Sequence, residues 1–278
     1  MTAAFDSSRF LEAVAERRLQ LGVPLSHRAV TASTNDDALE AARAGAPHGA
    51  VFVADEQQQG RGRRGSVWLS TPGASLAFSL LLRPRVPAER AGWFALLSGL
   101  AVRRAVERLL TLSGSETVVS VKWPNDVLCG GKKLAGILVE SRVQAAELSA
   151  VVIGIGLNLG SVQLPEDVAR RATSLEALGV AGHAREDLLV EILAELEARL
   201  PQLEADETGR KDLLHELQRH DWLKGRLIQL DELRGTAAGI DASGNLSIDD
   251  EFGRRHVRSA GHVEILGDAH ARAPDRLE

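Results

Sequence analysis

A chain of 278 residues, 44% hydrophobic and 26% charged, is long enough for one large domain, or a large and a small one, around a real core. Its net charge of -5 argues against a general nucleic-acid binder, and its single cysteine, Cys129, excludes an intramolecular disulfide or a multi-cysteine metal site and fits a reducing cytosol. The opening MTAAFDSSRF lacks a basic stretch followed by an apolar run, and no apolar segment reaches the ~18 residues of a membrane span, so a cytoplasmic chain without signal peptide or membrane contact is expected.

In chain order, residues 8–21 predict an amphipathic helix with Phe10, Val14 and Leu21 near one face. HRAVTAS predicts a strand. STNDDALEAARAG predicts a helix that Ser33 or Thr34 can cap, with Asp36 and Asp37 at its positive end and Gly45 closing it. GAVFVADEQ predicts a strand, and the basic QQQGRGRRG segment is the loop after it. SLAFSLLLRP is apolar on both faces, as a central strand is. Residues 89–112 place Trp93, Leu96, Leu97, Leu100 and Ala101 at helical spacing. TVVSVKWPNDVLCGGKKLAGILVES predicts strands turning at Asn125-Asp126 and Gly130-Gly131. LSAVVIGIGLNL is a strand with glycines where something must approach the backbone closely. Residues 163–220 look helical, and after Trp222 short alternating runs between Gly, Asp and Asn turns predict a small all-β module.

Gly60, Gly62 and Gly65 satisfy a dinucleotide-binding glycine pattern, but VWLSTPG follows instead of the helix that pattern requires, and no P-loop is present. Glycine amides and three arginines still suit phosphate or carboxylate oxygens; the alternative is a solvated basic loop. In KWPND, Asp126 could meet Mg²⁺ through water; the alternative is a plain hairpin with Trp123 in the core. In KKLAGI, small residues at Ala135 and Gly136 leave room for a lysine ammonium; the alternative is a solvated lysine. Ser33-Thr34-Asn35 is explained by helix capping alone.

Taken together and in this order, Ser33-Thr34-Asn35, Gln57 with GRGRRG and Trp68, KWPND, KLAGI and the GIGLN strand resemble the bacterial biotin–protein ligases. The resemblance is dense from Ser33 to Asn158 and looser through Thr173-Ser174-Leu175 into residues 234–241. It implies an α+β fold: a class II aminoacyl-tRNA synthetase-like catalytic domain over residues 1–220, with a mixed, largely antiparallel sheet and helices. An SH3-like β-barrel over 221–267 and a flexible tail over 268–278 complete it. It implies biotin activation by ATP and Mg²⁺ to biotinyl-5′-AMP, then transfer to a lysine of a biotin carboxyl carrier protein, a subunit of acetyl-CoA carboxylase.

By the same resemblance Ser33, Thr34, Asn35, Gln57, Arg61, Gly62, Arg63 and Lys133 bind biotin. Gly60, Arg61, Arg64, Gly65, Trp68, Asn125 and Asn158 meet the adenylate or its metal. Lys133, Arg63 and Asp126 are the catalytic candidates, Asp126 also as metal contact and proton acceptor. About thirty residues with one clear helix precede Ser33, so a three-helix DNA-binding module, DNA binding and repression are not expected; a monomer or a homodimer is. Where some relatives carry an arginine before Gly239-Ile240-Asp241, this chain reads Thr236-Ala237-Ala238, and Arg234 is the only nearby substitute. The rival readings are a lipoate–protein ligase, a non-catalytic sensor and a DNA-binding regulator.

Overall fold

The computed structural model describes residues 4–160, 165–180, 182–205 and 209–268. Seven strands form the larger sheet: β1 (Leu25–Thr31), β2 (Val51–Gln57), β3 (Ser75–Leu82), β4 (Val119–Lys122), β5 (Asp126–Cys129), β6 (Lys132–Gln144) and β7 (Glu147–Asn158). Their order is β1-β2-β3-β7-β6-β5-β4. The β1–β2 pair is parallel and every other neighbour is antiparallel, which makes the sheet mixed. All eight residues of β3 are buried, as its two-sided apolar pattern requires of an inner strand.

Helices cover both faces. On one side α2 (Thr34–Arg43) packs on β2, β3 and β7 through Ala38 and Ala42 against Phe52, Leu81 and Val152. On the other side α3 (Ala91–Leu112) buries the predicted stripe of Trp93, Leu96, Leu97, Leu100 and Ala101 against the sheet. No side chain caps the start of α3. Its buried stripe holds it instead, since each large apolar side chain contributes about 1.5–3 kcal/mol on burial. A second layer, α5 (Arg185–Glu204), lies across α3 and α1 (Ser7–Glu16), after the single turn α4 (Glu166–Ala169); α6 (Lys211–Arg219) also touches α3.

The helix expected over 8–21 stops at Glu16, because Arg18 turns left-handed (φ 55°). Leu21 still reaches the core, from the following turn rather than the helix face. The start of α1 is fixed by Asp6, whose carboxylate accepts from the amides of Ser8 and Arg9.

The texture change after Trp222 marks a second, antiparallel sheet. It comprises β8 (Arg226–Leu230), β9 (Leu233–Ile240), β10 (Leu246–Asp249), β11 (Arg255–Arg258) and β12 (Val263–Asp268), ordered β11-β10-β9-β8-β12. Its inward residues Ile228, Leu230, Ile240, Leu246 and Ile248 join the same apolar cluster as the larger sheet. Trp123 Nε1 donates to the Gly244 carbonyl at 3.1 Å, and Val121 exchanges backbone hydrogen bonds with His220 and Trp222. The two sheets therefore share one continuous core.

At this junction burial pushes the Asp221 carboxyl up from 3.8 to about 6, against the Leu223 and Lys224 amides. Its folded pKa lies above its unfolded one, so the ionised form costs stability. That cost is absent below about pH 4, grows as pH rises through 6 and is complete above it, at about 1–3 kcal/mol. Asp221→Asn keeps the oxygen that accepts from Leu223 N. It should raise the thermal midpoint by several degrees at pH 7.5 and leave it unchanged near pH 4. An equal shift at both pH values would show that ionisation of Asp221 is not the cause.

Candidate active site

Where α2 starts beside β2, β3 and β7, three polar side chains lock together. Ser33 occupies the N-cap position of α2, yet its side chain makes no capping bond. The expectation that Ser33 or Thr34 caps the helix is corrected: the acceptor comes from β2. Gln57 Oε1 receives the Thr34 amide at 2.9 Å and lies 3.1 Å from Thr34 Oγ1. Behind them, fully buried Ser79 places its hydroxyl 2.8 Å from Thr34 Oγ1 and 2.6 Å from Asn35 Oδ1. The Asn35 amide then donates to Glu140 Oε2 at 2.8 Å. Ser33, Thr34 and Asn35 are each 3% exposed, so their orientation is set before any ligand arrives.

The glycines of β7 make room for this cluster. A Cβ on Gly154 would sit 2.1 Å from Asn35 Oδ1, and one on Gly156 would sit 2.2 Å from the Trp68 ring. This is the close approach that the GIGLN strand predicted. Trp68 lies across Gly156, and its indole Nε1 is buried with no protein partner among the described residues. A buried donor without an acceptor at the edge of a cleft points to a ligand.

Gly136 on β6 gives Lys133 its room, since a Cβ there would meet Lys133 Nζ and Trp68 at 3.2 Å. Lys133 Nζ reaches Asp126 Oδ1 at 2.6 Å and stands 5.8 Å from the Trp68 ring centre. The Trp123–Pro124 peptide is cis, and the hairpin it closes sets Lys122 directly across from Asp126. Lys122 is largely buried and donates to the Val263 carbonyl of β12 at 3.3 Å. Burial, with Lys133 and Arg171 nearby, draws its ammonium below the ordinary lysine value against the pull of Asp126. Sequence reasoning missed Lys122 as a site residue. The signal was available: ends of a tight hairpin four positions apart face the same way.

The loop after β2 is built by close contacts. A Cβ on Gly60 would lie 2.4 Å from the Trp68 carbonyl, and one on Gly62 would lie 2.4 Å from Ser66 Oγ. Gly62 N donates to the Ser66 carbonyl at 2.7 Å and Trp68 N to the Gly60 carbonyl at 2.9 Å. The three arginines have different fates. Arg61 is held by Asp36 at 2.6 Å and Glu140 at 3.0 Å. Arg64, left-handed at φ 54°, pairs with Asp231 of the β8–β9 turn at 2.8 Å. Arg63 turns inward, half-buried, with Asn125 Oδ1 at 3.5 Å and no paired carboxylate among the described residues. Burial and the neighbouring Arg64 lower its pKa, and Asp126 opposes them.

These elements enclose a hollow of about 630 Å³, the size of a small-molecule site. Of the sequence-predicted site residues, Ser33, Thr34, Asn35, Gln57, Arg61, Gly62, Arg63, Arg64, Trp68, Asn125, Asp126 and Lys133 line it. Gly60 and Gly65 line an adjoining hollow of about 820 Å³. Asn158, expected beside the nucleotide or its metal, lines neither hollow. Its amide instead donates to the Thr173 carbonyl at 3.0 Å and anchors the segment after β7. The smaller sheet contributes Asp231, Gly261, His262 and Val263 to the wall, whereas Arg234 is absent from it. Arg63, Lys122 and Lys133 thus face one carboxylate, Asp126, in a partly dry cleft. That excess of positive charge favours a polyanionic ligand. No cluster of three or more metal-ligating side chains occurs among the described residues, and no helix there is long and apolar enough to cross a membrane.

Residues 28–158 match the Biotin/lipoate A/B protein ligase family. The chain is 41% identical over 247 residues to the biotin–[acetyl-CoA-carboxylase] ligase of Mycobacterium tuberculosis, covering 86% of this chain and 87% of that protein. It is 36% identical over 242 residues to the enzyme of the same name from Paracoccus denitrificans, covering 83% and 96%. The biotin protein ligase of Aquifex aeolicus, solved with biotin and ATP, superposes with a TM-score of 0.71 at 27% identity over 88% of this chain and 99% of that one. Matched over most of its length and of theirs, the chain belongs to the biotin/lipoate A/B protein ligase family and, within it, to the biotin–protein ligases.

Proposed function

We propose that the protein is an ATP-dependent biotin–[acetyl-CoA-carboxylase] ligase. The observation that carries this reading is the cleft itself: a preset polar pocket at Thr34, Asn35 and Gln57 opens onto three cations, Arg63, Lys122 and Lys133, gathered around the single carboxylate of Asp126. The pocket supplies hydrogen bonds to the ureido ring of biotin, which burial would otherwise leave unsatisfied. The cations meet the biotin carboxylate and the phosphates of ATP together. Two anions must approach each other in the first step, and fixed positive charge offsets their repulsion and the charge growing on phosphorus. A biotin carboxylate oxygen attacks the α-phosphorus, the bond to pyrophosphate breaks, and biotinyl-5′-AMP forms.

In the second step the amine of a carrier lysine attacks the acyl carbon, AMP leaves, and an amide remains. That amine, with an ordinary pKa of about 10.4, must lose a proton. We assign its acceptance to Asp126, which stands 2.6 Å from Lys133 Nζ. Asp126 would hold the magnesium ion that accompanies ATP, since one carboxylate plus substrate phosphates is a donor set that ion commonly uses, and the ion would offset phosphate charge there. Gly60, Gly65 and Trp68 are assigned to the adenylate and Arg64 to its closure. We read residues 1–220 as a class II aminoacyl-tRNA synthetase-like domain and 221–267 as an SH3-like barrel. The mixed seven-stranded sheet and the five-stranded antiparallel sheet support this division.

The test is biotin-dependent exchange of labelled pyrophosphate into ATP, followed by transfer to an isolated biotin carboxyl carrier domain with biotin or lipoate as the acid. Exchange and transfer with biotin are expected. Transfer of lipoate in place of biotin, or binding of biotin without exchange, would overturn the assignment.

A further inference from the structure

We propose that Glu140 is a positioning residue that ties the arginine lid to the pocket for the substrate ring; this rests on reading the cleft as a biotin and ATP site. Glu140 lies four residues beyond Gly136 on β6 and shares its face by the pleat. One oxygen, Oε2, accepts from Asn35 Nδ2 at 2.8 Å and from Arg61 Nη2 at 3.0 Å. The first partner belongs to the head pocket and the second to the loop.

An ionised carboxylate only accepts hydrogen bonds. It therefore dictates that the nitrogen end of Asn35 faces β6 and the oxygen end faces Ser79, which lies 2.6 Å from Oδ1. Without that acceptor Asn35 Nδ2 keeps only the long bond to the Leu138 carbonyl at 3.4 Å, and the amide can turn over and present the wrong polarity to a ureido ring. On the other side, Arg61 is bracketed by Glu140 and Asp36, so its charge is spent on holding the loop. Arg61 is then the anchor of the lid, and Arg63, two residues on and unneutralised, is the arm that meets the ligand. A pocket with its polarity set and a lid already in place are coupled through one carboxylate oxygen.

The experiment compares Glu140→Ala and Glu140→Gln in the full chain. Glu140→Ala should raise KM for biotin about tenfold in pyrophosphate exchange and speed release of enzyme-bound biotinyl-5′-AMP about tenfold, with kcat within about threefold. Glu140→Gln keeps an oxygen for Asn35 but loses the charge for Arg61. It should hold KM within about threefold while still releasing the adenylate faster. Arg61 and Glu140 are 41% and 27% exposed at their side chains, so their ion pair adds little to stability, whereas Asn35 is buried. The thermal midpoint should stay within about 2 °C in Glu140→Gln and fall by a few degrees in Glu140→Ala. In ligand-free protein, trypsin should cut after Arg61, Arg63 or Arg64 several-fold faster in both variants than in wild type.

Wild-type rates of adenylate release or of loop cleavage in either variant would overturn the proposal. So would a loss of kcat at unchanged KM, or an equal KM rise in both variants. Wild-type protein that makes no biotinyl-5′-AMP would instead sink the functional reading, and loop cleavage would still decide the role of Glu140.

Discussion

Lys133→Ala should slow biotin-dependent pyrophosphate exchange by about a hundredfold or more. Lys133 brings a positive charge beside Asp126, Arg63 and Trp68, where the proposed reaction brings the carboxylate and the α-phosphate together. Removing one preorganised donor from such a site costs roughly 2.7–4 kcal/mol of transition-state stabilisation. The same change leaves Asp126 without its cationic partner, so the cleft loses attraction for anions twice over. Stability should suffer little. Lys133 is 38% exposed at its side chain, and ion pairs of that exposure are worth about 0–1 kcal/mol. Lys133→Arg keeps the charge but replaces a compact ammonium, lying close over Gly136, with a broader planar guanidinium. It should recover only part of the rate. Exchange at the wild-type rate in Lys133→Ala would show that Arg63 and Lys122 suffice.

Gly154→Ala should raise KM for biotin by about tenfold to a hundredfold. The added methyl would lie 2.1 Å from Asn35 Oδ1 and 2.9 Å from its Cγ. Asn35 cannot step aside without giving up Ser79 and Glu140, which hold its two ends. Either the asparagine turns into the pocket or β7 moves, and overpacking of this kind costs about 1–3 kcal/mol. Gly156→Ala strikes a different wall, displacing Trp68 at 2.2 Å. Measured side by side, Gly154→Ala should act mainly on biotin and Gly156→Ala on adenylate retention. Identical profiles for the two would mean that β7 shifts as a whole.

Much of this arrangement can be read from the chain alone. The two-sided apolar run of β3 marks an inner strand, and the stripe from Trp93 to Ala101 marks a buried helix, because both signals are local and periodic. The glycines of GIGLN announce close approach without saying what approaches; Asn35 and Trp68, at Gly154 and Gly156, are the answer. The glycine–arginine alternation predicts a loop for anions, and glycine is indeed required at Gly60, where a Cβ would lie 2.4 Å from the Trp68 carbonyl. Order along the chain, from Ser33 to Asn158, identifies the family, because few chemistries need those residues in that sequence.

The tertiary structure decides which of these residues share a site and in what charge state. Three arginines look alike in GRGRRG, yet Arg61 is held by a glutamate 79 residues away and Arg64 by an aspartate 167 residues away, while Arg63 pairs with no carboxylate among the described residues. Thr34 looks like a cap and is itself capped by Gln57, which lies 23 residues on. Asn158 carries a plausible donor and spends it on Thr173. Lys122 becomes a site residue only when the hairpin closes and β12 offers the Val263 carbonyl. The physical reason is common to all four. Glycine's freedom and apolar periodicity act over a few residues and are written in composition. A charge or an orphan hydrogen bond is satisfied by whichever partner the fold brings within about 3 Å, and that partner is set by strand order and register.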